Sequence, residues 1–424
     1  MAHFCFMAFG SRGDIQPLVA VAAQLVKMGH RATLCTEARF RKMAEERGIC
    51  FKETALDLME LADSEEGKKI FQSPFRNAFL ARKVMREYIL PRFRTSLDQC
   101  YKAAQGADVV VYHPKVFGAV DMAVSLGIPC VVMPAVPILY PVEEFPNLGL
   151  MVRSMGSFLN KLSYKVNDWA EGSYIKAVND FRDKTLHLPS RKAGVYARQR
   201  EGKEIPILYP FSRLLFPDVK SWEGHVQLPG FCFLERPGTL SEDVELFIRE
   251  GEKPLVVTFG SVEMPEKAVF FGKLVKALKQ TGNRAICIGE KAGFVGNTSG
   301  DSFIDSQVLF VKEAPFLALF PRVKGVICHA GIGTGSTALQ CGVPLISMPI
   351  SADQPFWARR YEQMGCAAAT LDIKHCTVEG MVDALNGLET PALQAKVHAV
   401  SEALKQENGI LEAARYLIGL VNET

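Results

Sequence analysis

Short apolar runs alternate with helix-spaced stretches from the first residues onward, and that alternation confines the chain to α/β folds built on parallel sheets. His3 to Phe9 reads as a buried strand, Gly10 to Pro17 as a turn and Leu18 to Met28 as a helix ending at Gly29, with a second strand at Ala32 to Thr36. This is a βαβ unit, whose crossover makes its two strands parallel. Asp108 to Tyr112 and Pro129 to Pro134 repeat the pattern around a helical Val116 to Leu126 closed by Gly127. A second alternating block opens at Pro254, with strands expected at Leu255 to Phe259, Arg284 to Ile288, Val308 to Val311, Gly325 to Cys328 and Leu345 to Met348, and a helix over Pro265 to Gln280. In the first half, Arg76 to Lys102 reads as helical with a basic, solvated face. Met151 to Leu188 reads as helical too, and Phe158, Leu159, Leu162, Tyr164, Trp169, Tyr174 and Phe181 read first as a packing face there, with a lipid-binding surface as the alternative. Pro210, Pro217, Pro229, Gly230 and Pro237 mark a domain end and a linker. At 424 residues the chain exceeds what one hydrophobic core sustains, so two domains are expected.

Lys and Arg number 49 against 46 for Asp and Glu, a formal charge of +3. That balance lacks the basic excess that phosphate neutralisation requires, so nucleic acid is not an expected partner. The 11 cysteines are scattered and form no CxxC pair, which fits buried thiols in the reducing cytosol better than a disulfide framework or a zinc site. No run reaches the roughly 20 apolar residues that span a bilayer. Met1 to Gly10 has no basic stretch before it and runs into a glycine turn, so a strand is expected there and not a signal peptide.

Four motifs could carry chemistry. After the strand Gly325 to Cys328 come His329-Ala330-Gly331-Ile332-Gly333-Thr334-Gly335-Ser336 and a helical segment. Alternate glycines let a ligand approach the backbone, and exposed amides at a helix start favour phosphate. A dinucleotide fingerprint would want a third glycine where Ser336 stands and gives His329 no role. Asp353-Gln354-Pro355-Phe356-Trp357, after another strand, pairs a carboxylate with an amide suited to neighbouring sugar hydroxyls; a helix cap is the plainer reading of Asp353. Phe259-Gly260-Ser261 sets a hydroxyl and an amide at a strand's carboxyl end. Gly10-Ser11-Arg12-Gly13-Asp14-Ile15-Gln16-Pro17 presents Asp14 either as a helix cap or as a general base, and His113 in Tyr112-His113-Pro114-Lys115 is either its partner or a packed core histidine.

Taken together these motifs resemble family 1 glycosyltransferases of the GT-B fold, most of all the sterol and lipid glucosyltransferases and the microbial antibiotic glycosyltransferases. The likeness runs over nearly the whole chain. It implies two Rossmann-like, doubly wound parallel-sheet domains facing across a cleft: an acceptor domain at 1–217, a linker at 218–242, a donor domain at 243–400, and a C-terminal helical stretch at 401–424 packing back toward the first domain. It also implies residue roles. Val311 and Lys312 fall where the nucleotide base rests, Ser261, His329, Gly331, Gly333, Thr334, Gly335 and Ser336 where the diphosphate is held, and Asp353 with Gln354 where the sugar hydroxyls are bound; Ser11, Arg12 and Gly13 belong to the same donor-binding set. Asp14 takes the catalytic-base position. Plant members have a histidine there steadied by an aspartate, so Asp14 and His113 exchange the two residue types. Thr337 stands where the plant signature has a glutamate for the ribose hydroxyls, and Val311 where it has a stacking tryptophan.

The resemblance thus implies an inverting, metal-independent transfer of a hexose, with glucose the default, from a UDP-sugar to a lipophilic acceptor such as a sterol. No cofactor is implied beyond the UDP- or TDP-sugar co-substrate. A cytoplasmic setting follows, with peripheral membrane contact left open. Three alternatives stand beside it: a TDP-deoxysugar or rhamnosyl transferase acting on a polyketide or lipid, a non-catalytic nucleotide-sugar sensor, and a nicotinamide-dependent oxidoreductase. Tyr140, Phe145, Phe158, Tyr164 and Trp169 are the residues expected to line an apolar acceptor pocket.

Overall fold

A computed structural model of the chain describes residues 1–72, 76–150, 153–194, 199–200, 203–222, 224–234, 238–260, 266–289 and 301–422. Two compact units result: unit 1 comprises Met1–Arg213, Asp218–Leu234 and Asn408–Thr424, and unit 2 comprises Leu214–Pro217 and Glu235–Glu407. The chain dips into unit 2 at Leu214–Pro217, crosses to it again between Leu234 and Glu235, inside the stretch expected as a linker, and returns between Glu407 and Asn408, where the sequence places a boundary at 401.

Among the described residues, unit 1 is built on a parallel sheet of β1 (His3–Met7), β2 (Arg31–Thr36), β3 (Cys50–Glu53), β4 (Val109–Tyr112), β5 (Cys130–Val132), β6 (Ile207–Leu208) and β7 (Val226–Gln227), ordered β3-β2-β1-β4-β5-β6-β7. Helices cover both faces, which is why β1 and β4 are apolar without alternation. Helix α1 (Arg12–Lys27) buries Ile15, Leu18, Val19, Val21, Ala22 and Leu25 against Phe4 and Phe6, and each large side chain so buried contributes about 1.5–3 kcal/mol. α2 (Ala119–Leu126) closes at Gly127. Unit 2 is a parallel sheet of β8 (Leu255–Thr258), β9 (Ala285–Ile288), β10 (Val308–Val311), β11 (Gly325–Cys328), β12 (Leu345–Ser347) and β13 (Ala367–Thr370), ordered β10-β9-β8-β11-β12-β13.

Two expectations need correction. α1 begins at Arg12, not at Leu18, so the stretch read as a turn is largely helix and Asp14 lies in its first turn. Pro17 lies in the second turn and forfeits the bond its N–H would have made to the Gly13 carbonyl, yet the helix runs on through it, with Ile15, Leu18, Val19 and Val21 buried on either side. Among the described residues of 151–188 are three short α-helices, α3 (Ser157–Ser163), α4 (Val166–Gly172) and Ile175–Phe181, the last running into a π-helical turn at Arg182–Leu186, and the apolar side chains divide. Tyr164 and Phe181 are in the core, whereas Phe158 and Trp169 are each 77% exposed. Phe145 is also a core residue, so the expected acceptor-pocket set is not one lining.

In unit 2, α5 (Lys267–Thr281) packs Phe270, Leu274 and Leu278 on Leu255 and Val257. α6 (Ile332–Gln340) follows β11, and α7 (Gln354–Gln363) follows β12. The last helix, α8 (Gly409–Asn422), joins the unit 1 core through Ala413, Ala414 and Leu417. No helix among the described residues is long and apolar enough to cross a membrane.

Candidate active site

Strand order in unit 1 reverses between β1 and β4, and a crevice opens beyond the carboxyl ends of two such strands. The residues after β1 and after β4 meet there. Asp14 Oδ2 accepts from the Ser11 backbone N–H at 2.8 Å, the Ser11 hydroxyl at 2.9 Å and the Lys115 ammonium at 2.8 Å, while His113 Nε2 stands 3.2 Å from Oδ1. Lys115 N–H points at His113 Nδ1 at 3.4 Å, which leaves the ring proton on Nε2, facing the carboxylate. Burial holds His113 below its ordinary value, so it is neutral at pH 7. Burial also opposes ionisation of Asp14, but His113 and then Lys115 outweigh it and hold the carboxyl far below its usual range. Asp14 is therefore an ionised carboxylate at the positive end of α1. Behind it, the fully buried Glu37 accepts the Gly10 N–H at 2.6 Å and the Thr36 hydroxyl at 2.6 Å, and its pKa is raised by burial.

Unit 2 reverses its order between β8 and β11, and His329 follows β11 at that point. Burial pushes its imidazole below the ordinary value, against a pull from the Thr258 backbone, so it too is neutral at pH 7. Ala330, the next residue, is held at φ 61, a left-handed conformation that costs a non-glycine residue about 1 kcal/mol or more. Gly331 then caps α6, and a Cβ there would lie 2.5 Å from His329 Nε2, so only glycine leaves the ring in place. The first turn of α6 contains no acidic residue and no side chain caps it. Gly331, Ile332 and Thr334 are half-buried and Gly333 is exposed, which leaves the amide end of α6 accessible to an anion.

Gly335 and Ser336 do not belong to that surface. Gly335 has no room for a Cβ against the buried Tyr361 ring, and Ser336, fully buried, spends its hydroxyl on the carbonyl of Ile332. Thr337 is likewise bonded back to Gly333 O at 2.8 Å. Asp353 follows Ala352, a second non-glycine residue in the left-handed region at φ 55. Its Oδ2 accepts the Trp357 indole N–H at 2.6 Å, so the carboxylate is oriented by Trp357 and makes no cap bond to α7. Gln354 Oε1 accepts the Ile350 and Ser351 N–H groups at 2.8 and 3.0 Å, which fixes its amide at the turn. Val311 ends the outermost strand β10 with its carbonyl bonded to Gly289 N–H at 3.0 Å, and Lys312 beside it is exposed. Arg12 and Gly13 are exposed at the start of α1, and Ser261 lies outside the described residues.

Lys115, Glu37 and Trp357 were not among the residues expected to act. Lys115 and Trp357 stand inside motifs already singled out, yet their partners emerge only with the fold. Glu37 had one available signal, an acidic residue directly after a buried strand.

A family model described as Glycosyltransferase family 28 N-terminal domain matches residues 4–113, and one described as UDP-glucoronosyl and UDP-glucosyl transferase matches residues 227–401. A sterol 3-beta-glucosyltransferase of Arabidopsis thaliana is 29% identical over 96% of this chain and 63% of its own length. The chain thus spans under two thirds of that relative. An O-mycaminosyltylonolide 6-deoxyallosyltransferase of Streptomyces fradiae is 29% identical over 97% of this chain and 96% of its own. Among solved structures, the glycotransferase of kitacinnamycin superposes with a TM-score of 0.73 at 18% identity, covering 99% of this chain and 98% of that one. With two parallel-sheet units of this order, a glycosyltransferase family model matching part of each and this structural likeness, the chain has the GT-B fold.

Proposed function

We propose that this chain transfers a hexose, glucose first, from a UDP-sugar to a hydroxyl of a lipophilic acceptor such as a sterol, with inversion at the anomeric carbon. The observation that carries this reading is the ionised Asp14 carboxylate, oriented at a sheet switch point by three donors on one oxygen. Such a carboxylate cannot deprotonate an alcohol at rest. It can take the proton as the hydroxyl attacks the anomeric carbon and its acidity rises. As that bond forms, the bond from the sugar to the diphosphate breaks and its electron pair leaves with phosphate oxygen. The uncapped amide end of α6 and the neutral His329, able to donate one hydrogen bond, suit that growing charge. Asp353, steadied by Trp357, and Gln354 are the proposed partners of the sugar hydroxyls.

A peripheral membrane contact belongs to the same reading. Phe158 and Trp169, with the exposed Leu159 and Leu162, lie in a segment that also carries the exposed cations Arg153, Lys161 and Lys165. Apolar side chains beside cations match the interface of an anionic bilayer, where a lipophilic acceptor would reside. A second reading, a TDP-deoxysugar donor, is favoured by Thr337, whose hydroxyl is already bonded within α6 and offers the ribose no carboxylate. The test is a donor panel: purified protein with UDP-glucose and TDP-sugars and a sterol and polyketide mixture, followed by mass spectrometry. A hexose mass gain on a sterol with UDP-glucose is expected; a gain only with TDP-deoxysugars moves the assignment to the second reading, and no transfer from any donor contradicts both.

A further inference from the structure

The ring of contacts around Asp14 closes through one residue that the proposed mechanism has not used. Lys115 acts twice: its ammonium binds Asp14 Oδ2 at 2.8 Å, and its backbone N–H points at His113 Nδ1 at 3.4 Å. Oδ2 is crowded, with both Ser11 donors and Lys115 on it, whereas among the described residues Oδ1 has only His113 Nε2 at 3.2 Å. His113, with its proton on Nε2 and Nδ1 turned to the backbone, has no nitrogen left to act as a base itself. Space for the ion pair is provided at Gly10, where φ is +133 and a Cβ would run into Asp14 Oδ2 and stand 2.7 Å from Lys115 Nζ. Lys115 is 43% exposed along its side chain while Asp14 is 17% exposed, so a solvated cation reaches inward to hold a mostly buried anion.

We infer that Lys115 is a positioning residue for the base: it fastens Asp14 by Oδ2 and so leaves Oδ1 as the oxygen that takes the acceptor's proton. This rests on the reading of Asp14 as base given above. In the step, the acceptor O–H proton passes to Oδ1, the acceptor oxygen bonds to the anomeric carbon, and the diphosphate departs with the electron pair of the broken bond. Lys115 neither gives nor takes a proton. Without its ammonium the buried carboxylate would lose a compensating charge and would titrate upward, and Oδ2 would be held by the Ser11 donors alone.

The experiment compares wild type, Lys115→Met, Lys115→Arg and Asp14→Asn by two readouts. The first needs no substrate: protein labelled with 13C at the aspartate carboxyl is titrated by NMR, the Asp14 signal being the one absent from Asp14→Asn. The second is the pH profile of kcat for glucose transfer from UDP-glucose to a sterol in detergent. Lys115→Met is expected to move the Asp14 titration upward, to bring an acid limb into the kcat profile at the same pH, and to lower kcat about tenfold or more at pH 8 through misorientation. Lys115→Arg, which keeps the charge, is expected to restore the low titration. An Asp14 signal and a pH profile both unmoved in Lys115→Met would overturn the inference while leaving Asp14 as base. Full transfer by Asp14→Asn would instead remove the base reading, whatever Lys115 does.

Discussion

Both units place a helix N-terminus at the point where their strand order reverses, yet the two ends are treated in opposite ways. In unit 1 the first turn of α1 carries its own anion, Asp14, already matched by Lys115 and by the Ser11 donors. In unit 2 the first turn of α6 has no acidic residue, and a neutral histidine stands beside it. One site is electrostatically satisfied by the chain itself, the other is open to an anion from outside. A helix end that fills itself orients a carboxylate for proton transfer, and one left unfilled suits a diphosphate.

Replacing the internal anion is the most severe way to break this contrast. Asp14→Asn is expected to lower kcat by about 10²–10⁴-fold, the usual weight of a general base, with KM for the donor little changed; steady-state kinetics with the donor varied would show the split. His329→Ala is expected to lower kcat/KM for the donor by about 10²-fold or more, with the acceptor KM unaffected, if the open end carries the leaving diphosphate.

Acidification probes the same histidines. Burial lowers the pKa values of His113 and His329, so the unfolded chain binds more protons than the folded one as pH falls. Stability is then fully present above the unfolded histidine value of about 6.5 and declines below it. His329→Gln should flatten part of that slope in a series of Tm measurements. Trp357→Phe removes the indole bond to Asp353 from a fully buried ring, with an expected cost of about 1–2 kcal/mol in urea unfolding. It should also raise the donor KM several-fold. The mildest change is Trp169→Ala with Phe158→Ala: both side chains are exposed, so Tm should hold while co-sedimentation with phosphatidylserine vesicles falls.

Much of the architecture was readable from alternation alone, because strands buried on both faces are continuous apolar runs and Gly127 and Gly29 punctuate the helices that follow. Glycine spacing around Gly331 and Gly333 likewise pointed to the helix end that is open. What local pattern could not reach was pairing across the sheet. Lys115 meets Asp14 because β4 lies beside β1, a neighbour relation between residues far apart in the chain. Pro17 misdirected the start of α1, since a proline near a glycine turn reads as a breaker, whereas here burial of Ile15, Leu18 and Val19 carries the helix through it at the cost of one backbone bond. Gly335 and Ser336 looked like part of a phosphate cradle; α6 periodicity turns both inward, Gly335 against Tyr361 and Ser336 with its hydroxyl on the Ile332 carbonyl.

Titration calorimetry of UDP into wild type, Asp14→Asn and His329→Ala most directly tests whether the self-filled helix end serves proton transfer and the open one serves the diphosphate. Asp14→Asn should bind UDP as wild type does, and His329→Ala should bind it at least tenfold more weakly. Equal UDP affinity in wild type and His329→Ala, together with lost affinity in Asp14→Asn, would reverse the assignment and contradict this account.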